Sequence, residues 1–171
     1  DIGYRSFDTA QMYQNEREVG DCLRTLGLPR DELLITTKVS PRNYAVADFL
    51  PSVEQSLRDL QTDYVDMLLL HWPDQHGDNG AALDQLQKAH DLGYAAHIGI
   101  SNYTISMMED AIHRLSTRPG ANQVEFHPFL DTQKLLDAAT RLELPLTAYC
   151  AVARGMMATS PLLDEIGAAH G

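Results

Sequence analysis

Four side chains in this 171-residue sequence have the types needed to move a proton onto or off an oxygen: Asp8, Tyr13, Lys38 and His71. A free tyrosine has a pKa near 10, too high for exchange at neutral pH, and a neighbouring ammonium such as that of Lys38 would lower it. Asp8 would hold Lys38 charged and in place. His71 would donate a hydrogen bond to a substrate oxygen and polarise it. Together they suit proton transfer to a carbonyl oxygen, with the hydride supplied from elsewhere. Each has a bland alternative: a satisfied Asp–Lys ion pair, a structural histidine at a strand end, a packed tyrosine in a loop. The coincidence of four such types at comparable positions favours the chemistry.

Those positions come from the elements around them. Short apolar runs at 4–7, 33–37, 64–70, 96–100, 122–126 and 146–149 begin roughly 24 to 32 residues apart, the size of a strand, loop and helix. They are continuous rather than alternating, as strands covered on both faces should be. Helical patterns fill the gaps, at 15–26, 46–61, 81–92, 105–115 and 131–142, with another starting at Pro161. Gly27 and Gly93 stop two of them, and Asp131 is the expected cap of the fifth. Six β/α units without a hairpin signal predict a parallel sheet, either a closed (β/α)8 barrel or an open doubly wound sheet. The open dinucleotide fold should show G-x-G-x-x-G after an early strand, and the sequence has none, so the barrel is the expected fold. A whole barrel needs about 250 residues, so six units amount to an incomplete one, with residues 1–171 forming a single partial barrel domain.

In such a barrel the active site is built at the C-terminal ends of the strands. Those ends present Asp8, Lys38, His71, Ser101 with Asn102, Gln123 with Glu125, and Tyr149, while Tyr13 lies in the loop after Asp8. Two rival chemistries fit less well. The histidines His71, His76, His90, His97, His113, His127 and His170 form no H-x-H, HExxH or Cys/His cluster, so no metal site is expected. Asp8 and Glu125 would be the pair for glycoside hydrolysis, which leaves Lys38 and Tyr13 without a task.

The balance of 13 Lys and Arg against 24 Asp and Glu, a net charge of −11, argues against nucleic acid or an anionic membrane as partner. No apolar run approaches the ~18 residues of a transmembrane helix. Cys22 and Cys150 are far apart, which fits no disulfide framework or zinc finger. A cytoplasmic monomer acting on a small molecule is the expectation.

Segments of the chain resemble the aldo-keto reductases. The stretch Asp8-Thr9-Ala10-Gln11-Met12-Tyr13-Gln14-Asn15-Glu16 is similar to the signature of that family, and Thr36-Thr37-Lys38, Leu70-His71-Trp72-Pro73, Gly99-Ile100-Ser101-Asn102, Asn122-Gln123-Val124-Glu125 and Ala148-Tyr149-Cys150 follow in the family's order. In texture the chain is most similar to the branch of bacterial 2,5-diketo-gluconate and methylglyoxal reductases. The resemblance implies a catalytic tetrad of Asp8, Tyr13, Lys38 and His71, with Tyr13 as general acid in carbonyl reduction and base in alcohol oxidation. It implies NADPH or NADP bound without a Rossmann unit. Asp8, Ser101, Asn102 and Gln123 would meet its nicotinamide end, Tyr149 would stack on the ring, and Cys150, Ala151, Val152 and Arg154 would run beside the pyrophosphate. Tyr13, His71 and Trp72 would line the pocket for a small aldehyde, ketone or keto-sugar.

Departures from the family pattern carry expectations too. Ser40 stands where relatives of this branch often carry Trp, which implies a smaller pocket wall. The six units correspond to the second to seventh of the barrel, so the chain reads as an internal piece of a longer product. The motif that grips the 2′-phosphate would then lie outside it, and two strand edges would be open. A piece that is inert by itself, and a non-catalytic cofactor-binding or redox-sensing module, are the alternatives to a reductase.

Overall fold

The apolar runs become parallel strands because each can be covered on both faces, and the amphipathic stretches between them supply one of the covers. The computed structural model describes residues 2–74 and 79–170, so His76 lies outside the described residues. Among these, strands β1 (Ser6–Asp8), β2 (Leu34–Val39), β3 (Val65–Leu70), β4 (Ala95–Ser101), β5 (Asn122–Glu125) and β6 (Leu146–Tyr149) alternate with helices α1 (Glu16–Thr25), α2 (Val46–Leu60), α3 (Gly80–Asp91), α4 (Ile105–Arg114), α5 (Gln133–Leu142) and α6 (Pro161–His170). The sheet order follows the chain, β1-β2-β3-β4-β5-β6, and every pairing is parallel.

Alternation along the strands sorts side chains between two layers. Ile35, Leu68, Leu70, Ile98 and Ile100 join the helix-side core with Phe49 and Val53 of α2, Leu86 of α3 and Met108 of α4. On the other face Lys38 lies in register with Leu69, and Leu69 with Gly99. Gly99 is glycine for lack of room: a Cβ there would sit 2.7 Å from both the Ala121 carbonyl oxygen and Leu69 Cδ2. The sheet is strongly curled. Gln123 of β5 donates to Asp8 of β1 at 2.8 Å, although four flat strand spacings would separate them by about 19 Å. Six βα units on a curled, sequentially ordered parallel sheet make an incomplete barrel of the expected α/β class.

The expected punctuation is largely where the sequence puts it. Gly93, at φ 80°, follows α3, and the Tyr94 amide closes that end on the Ala89 carbonyl at 3.0 Å. One cap differs. Asp131 lies one residue outside the N-cap position of α5, which Thr132 occupies, and its carboxylate accepts the Gln133 amide at 3.3 Å. No helix among the described residues is long and apolar enough to cross a membrane.

Candidate active site

Asp8 closes β1, Lys38 is the fifth residue of β2, and His71 follows β3, so the sheet carries three of the four groups to one end. Tyr13 arrives by another route. It ends a single 3-10 turn, Gln11–Tyr13, closed by Tyr13 N–H on the Ala10 carbonyl at 2.9 Å, with Gln14 at φ 55° turning the chain toward α1.

The four side chains meet around the Lys38 ammonium, which is 1% exposed. An ammonium has three donors, and all three are used. One goes to Asp8 Oδ1, one to the Thr9 carbonyl at 3.0 Å and one to the Tyr13 hydroxyl at 3.5 Å. The second Asp8 oxygen accepts from Gln123. The Tyr13 ring lies edge-on to His71, with centroids 5.5 Å apart at 84°, and Trp72 stacks on His71 at 6.5 Å and 19°. Tyr13 and Trp72 are half exposed, so this corner is open to solvent, whereas Lys38 beneath it is sealed.

His71 is held neutral. Burial, reinforced by the Lys38 charge and only partly offset by Asp8, pushes its imidazole down to about 4. Its Nδ1 is buried without a partner. A buried orphan N–H is rarer than an under-satisfied acceptor, which places the proton on Nε2, the nitrogen left to the open side.

The second group of expected residues also assembles. Asn102, at φ 62° just past β4, acts as a clasp: its amide donates to the His71 carbonyl and to Ser101 Oγ, both at 3.1 Å, and its Oδ1 accepts the Tyr149 hydroxyl at 2.8 Å. Asparagine tolerates that left-handed backbone better than most residues. Ser101 Oγ in turn donates to the Gln123 carbonyl at 2.8 Å. Burial, with the Glu125 carboxylate nearby, pushes the Tyr149 phenol up, so it remains a donor. The clasp leaves mostly acceptor capacity open: Gln123 Oε1 accepts nothing among the described residues, and Asn102 Oδ1 has a second lone pair. Beside the half-buried Tyr149 ring, that set fits the amino end of a flat carboxamide such as nicotinamide.

Cys150, Ala151, Val152 and Arg154 are not drawn into the cluster. They form a turn held by its own bonds, Ala153 N–H to the Cys150 carbonyl at 2.7 Å and Gly155 N–H to the Val152 carbonyl at 3.0 Å; Val152 is 65% exposed, while the Arg154 side chain bonds Cys150 and lies in reach of the charges of Glu125 and Tyr149. Ser40 is buried and accepts the Arg42 amide at 3.4 Å, so it caps a local turn. Glu125 lies 3.4 Å from His127 Nε2, at the end of β5. Among the described residues no group of three His, Cys, Asp or Glu is arranged to hold a metal.

Sequence reasoning missed the supports. Glu16, buried at the start of α1, accepts from Thr37 at 2.5 Å and Ser56 at 3.1 Å, and burial pushes its carboxyl up despite both bonds. The Gln11 amide has five polar partners within hydrogen-bond distance, two donors to Oε1 and three acceptors that share the two hydrogens of Nε2. Both lie inside the signature-like segment, yet polar residues flanking a catalytic type carry no sign of their partners until the helices are placed.

The comparisons bear on family and fold. The sequence model described as "Aldo/keto reductase family" matches residues 1–166. Methylglyoxal reductase DkgB of Yersinia pestis is 39% identical over 99% of this chain and 65% of its own length. A crystal structure assigned as a 2,5-diketo-D-gluconic acid reductase B superposes with a TM-score of 0.96 at 45% identity, over 99% of this chain and 60% of that one. The Bombyx mori aldo-keto reductase AKR2E4, solved in complex with NADP, superposes at 0.80 with 30% identity, over 86% of this chain and 52% of its own. The chain thus spans less than two thirds of the length of these relatives.

Proposed function

Because this chain belongs to the aldo/keto reductase family, we propose that the protein carrying it is an NADPH-dependent oxidoreductase that reduces small aldehydes, ketones or keto-sugars to alcohols. Asp8, Tyr13, Lys38 and His71 are its tetrad. The observation that carries the reading is the buried Lys38 ammonium, bridging the Asp8 carboxylate and the Tyr13 hydroxyl beside a neutral histidine.

A bound reduced nicotinamide supplies the hydride. The remaining work belongs to the chain. A carbonyl oxygen entering between Tyr13, His71 and Trp72 accepts a hydrogen bond from His71 Nε2–H, which draws electron density toward the oxygen. As the oxygen gains negative charge, the Tyr13 hydroxyl gives up its proton to it, and the O–H bond of the product alcohol forms as the phenol O–H breaks. The charge left on the phenol oxygen faces the Lys38 ammonium at 3.5 Å, and solvent at the half-exposed ring returns the proton. Gln123, Asn102 and Ser101, with the Tyr149 ring, would seat the carboxamide, and Asp8 joins that seat to the tetrad through Gln123. Cys150, Ala151, Val152 and Arg154 would run beside the pyrophosphate. The six strands then correspond to the second to seventh of the barrel.

The support for substrate and cofactor is a relative's printed activity on methylglyoxal and a neighbour's bound NADP. The test follows NADPH absorbance with methylglyoxal and 2,5-diketo-gluconate, comparing the protein with its Tyr13→Phe variant. Loss of turnover by a factor of 100 or more, of the order of general acid catalysis, is expected. Undiminished turnover in the variant would remove Tyr13 from the role.

A further inference from the structure

We infer that Gln11 is a positioning residue for Tyr13: its side chain fixes the turn that presents the phenol to Lys38. Tyr13 is the member of the tetrad not carried by a strand or its immediate end. Its 3-10 turn spans three residues, of which Met12 and Tyr13 itself are half exposed; packing grips the segment before the turn, where Thr9 and Ala10 are buried, and at the Tyr13 ring against His71, and does little for the backbone between them. A three-residue turn with two backbone bonds has little rigidity of its own.

Gln11 supplies the missing constraint from two sides. Its Oε1 accepts the Ser40 amide at 2.8 Å and Asn43 Nδ2 at 2.9 Å, tying the turn to the segment that leaves β2 two residues beyond Lys38. Its Nε2 donates to the Ser52 carbonyl at 3.2 Å and lies 3.1 Å from both Ser52 Oγ and Ser56 Oγ on α2. Ser56 Oγ also donates to Glu16, the first residue of α1, so the element that follows the turn is pinned to the same helix. The turn is therefore held between the segment that leaves β2 and α2, while Ser56 of α2 also holds the start of α1 that follows it. The Tyr13 hydroxyl is at the 3.5 Å limit of a bond to Lys38, so any outward drift of the turn breaks the contact. Displacement of a catalytic group by about 1 Å can cost 100-fold in rate.

The kinetic part of this inference rests on Tyr13 as the acid, while the positional part does not, and the experiment separates them. Gln11→Leu removes the hydrogen bonding at both Oε1 and Nε2 at similar size, and Ser52→Ala removes one partner from outside the turn. With 13C-labelled tyrosine, the Tyr13 ring signals, assigned by their absence in Tyr13→Phe, are expected to move or broaden in Gln11→Leu. The signals of the other six tyrosines should stay in place, a control for the fold. Ser52→Ala should show the same selective change at smaller size, and it serves as the test if Gln11→Leu does not fold. In turnover, kcat should fall about 10- to 100-fold with KM little changed. Unmoved Tyr13 signals in both variants would overturn the inference, as would equal movement of all seven tyrosines. If Tyr13→Phe retained full turnover while the Tyr13 signals moved in Gln11→Leu, the positioning would stand and the assigned acid would fall.

Discussion

At the scale of single residues the site is organised around charges that cannot all be satisfied by water. Lys38 is sealed and its one carboxylate partner, Asp8, is partly open, with 42% of that side chain exposed. The pair is thus asymmetric: removing the lysine leaves a carboxylate that water can reach, whereas removing the aspartate leaves an ammonium that water cannot. His71 feels the same buried charge. Its imidazole, pushed down to about 4 from 6.5, is neutral across the working range and can serve only as a hydrogen-bond donor or acceptor there. The unfolded chain binds this proton more readily than the folded one between those two values. Stability from this group is therefore intact above pH 6.5 and is lost as pH falls toward 4, by up to about 1.4 kcal/mol per pH unit. Glu16, whose carboxyl is pushed up by burial, acts in the opposite sense as pH rises through its own range, so a difference measurement is needed. Urea unfolding of the protein and of His71→Gln at pH 7, 6 and 5 should show the native protein losing stability relative to the variant at each step down. A constant difference across the three pH values would mean that His71 titrates normally in the fold.

At the scale of elements, close approach matters more than propensity. Gly20 lies in α1 where the helix crosses the end of α2, and a Cβ there would press on the Asp59 carbonyl and come within 2.8 Å of the Leu60 carbonyl carbon. Both are backbone and neither can swing aside. Gly20→Ala gains up to about 1 kcal/mol of helix propensity but forces α1 outward, an overpacking cost of about 1–3 kcal/mol, so net destabilisation is expected in urea melts. A stabilised variant would show that the two helices have slack between them. The same displacement would disturb Glu16 and, through Ser56, the support of Gln11. This layer of the site is where sequence reasoning stopped. The strand runs, the helix stops at Gly27 and Gly93, and the strand-end residues Asp8, Lys38, His71 and Tyr149 were legible, because hydrophobic period and turn chemistry are local signals. Asp131 sits one position before the N-cap, because Thr132 takes that backbone position without a side-chain cap bond while the Asp131 carboxylate still accepts the Gln133 amide. The roles of Gln11, Glu16 and Gly20 depend on which helix face meets which, and no local pattern encodes that.

At the scale of the whole molecule, the consequence of curling the sheet is that residues 115 apart in sequence share one carboxylate. Gln123 donates to Asp8 Oδ2 while Lys38 holds Oδ1, so β5 is tied to β1 across the inside of the curl, through a side chain only 7% exposed. The contact fixes curvature as well as orientation, since flattening the sheet at any of the intervening strands separates the two groups. It also joins the carboxamide seat to the proton-transfer cluster, beside the bond that Asn102 makes to the His71 carbonyl. A hydrogen bond to a charged group contributes about 1.5–3 kcal/mol, and the partial exposure of Asp8 places this one toward the low end. Gln123→Met keeps the length and removes the donor. For a chain of this size about 1.5 kcal/mol corresponds to a thermal midpoint lower by roughly 3–6 °C. The fitting control is Arg141→Met, which breaks the Arg141–Glu109 pair at 2.7 Å on the outer surface, where the two side chains are 60% and 38% exposed. Such a pair is worth about 0–1 kcal/mol, so its loss should move the midpoint by at most about 2–4 °C. Equal shifts for the two variants would mean that the cross-sheet bond behaves as a surface contact and that the curl is set by strand packing alone. A larger shift for Gln123→Met, with weaker quenching of the single tryptophan, Trp72, by added NADPH, is the outcome expected if curvature and cofactor seat are coupled through Asp8.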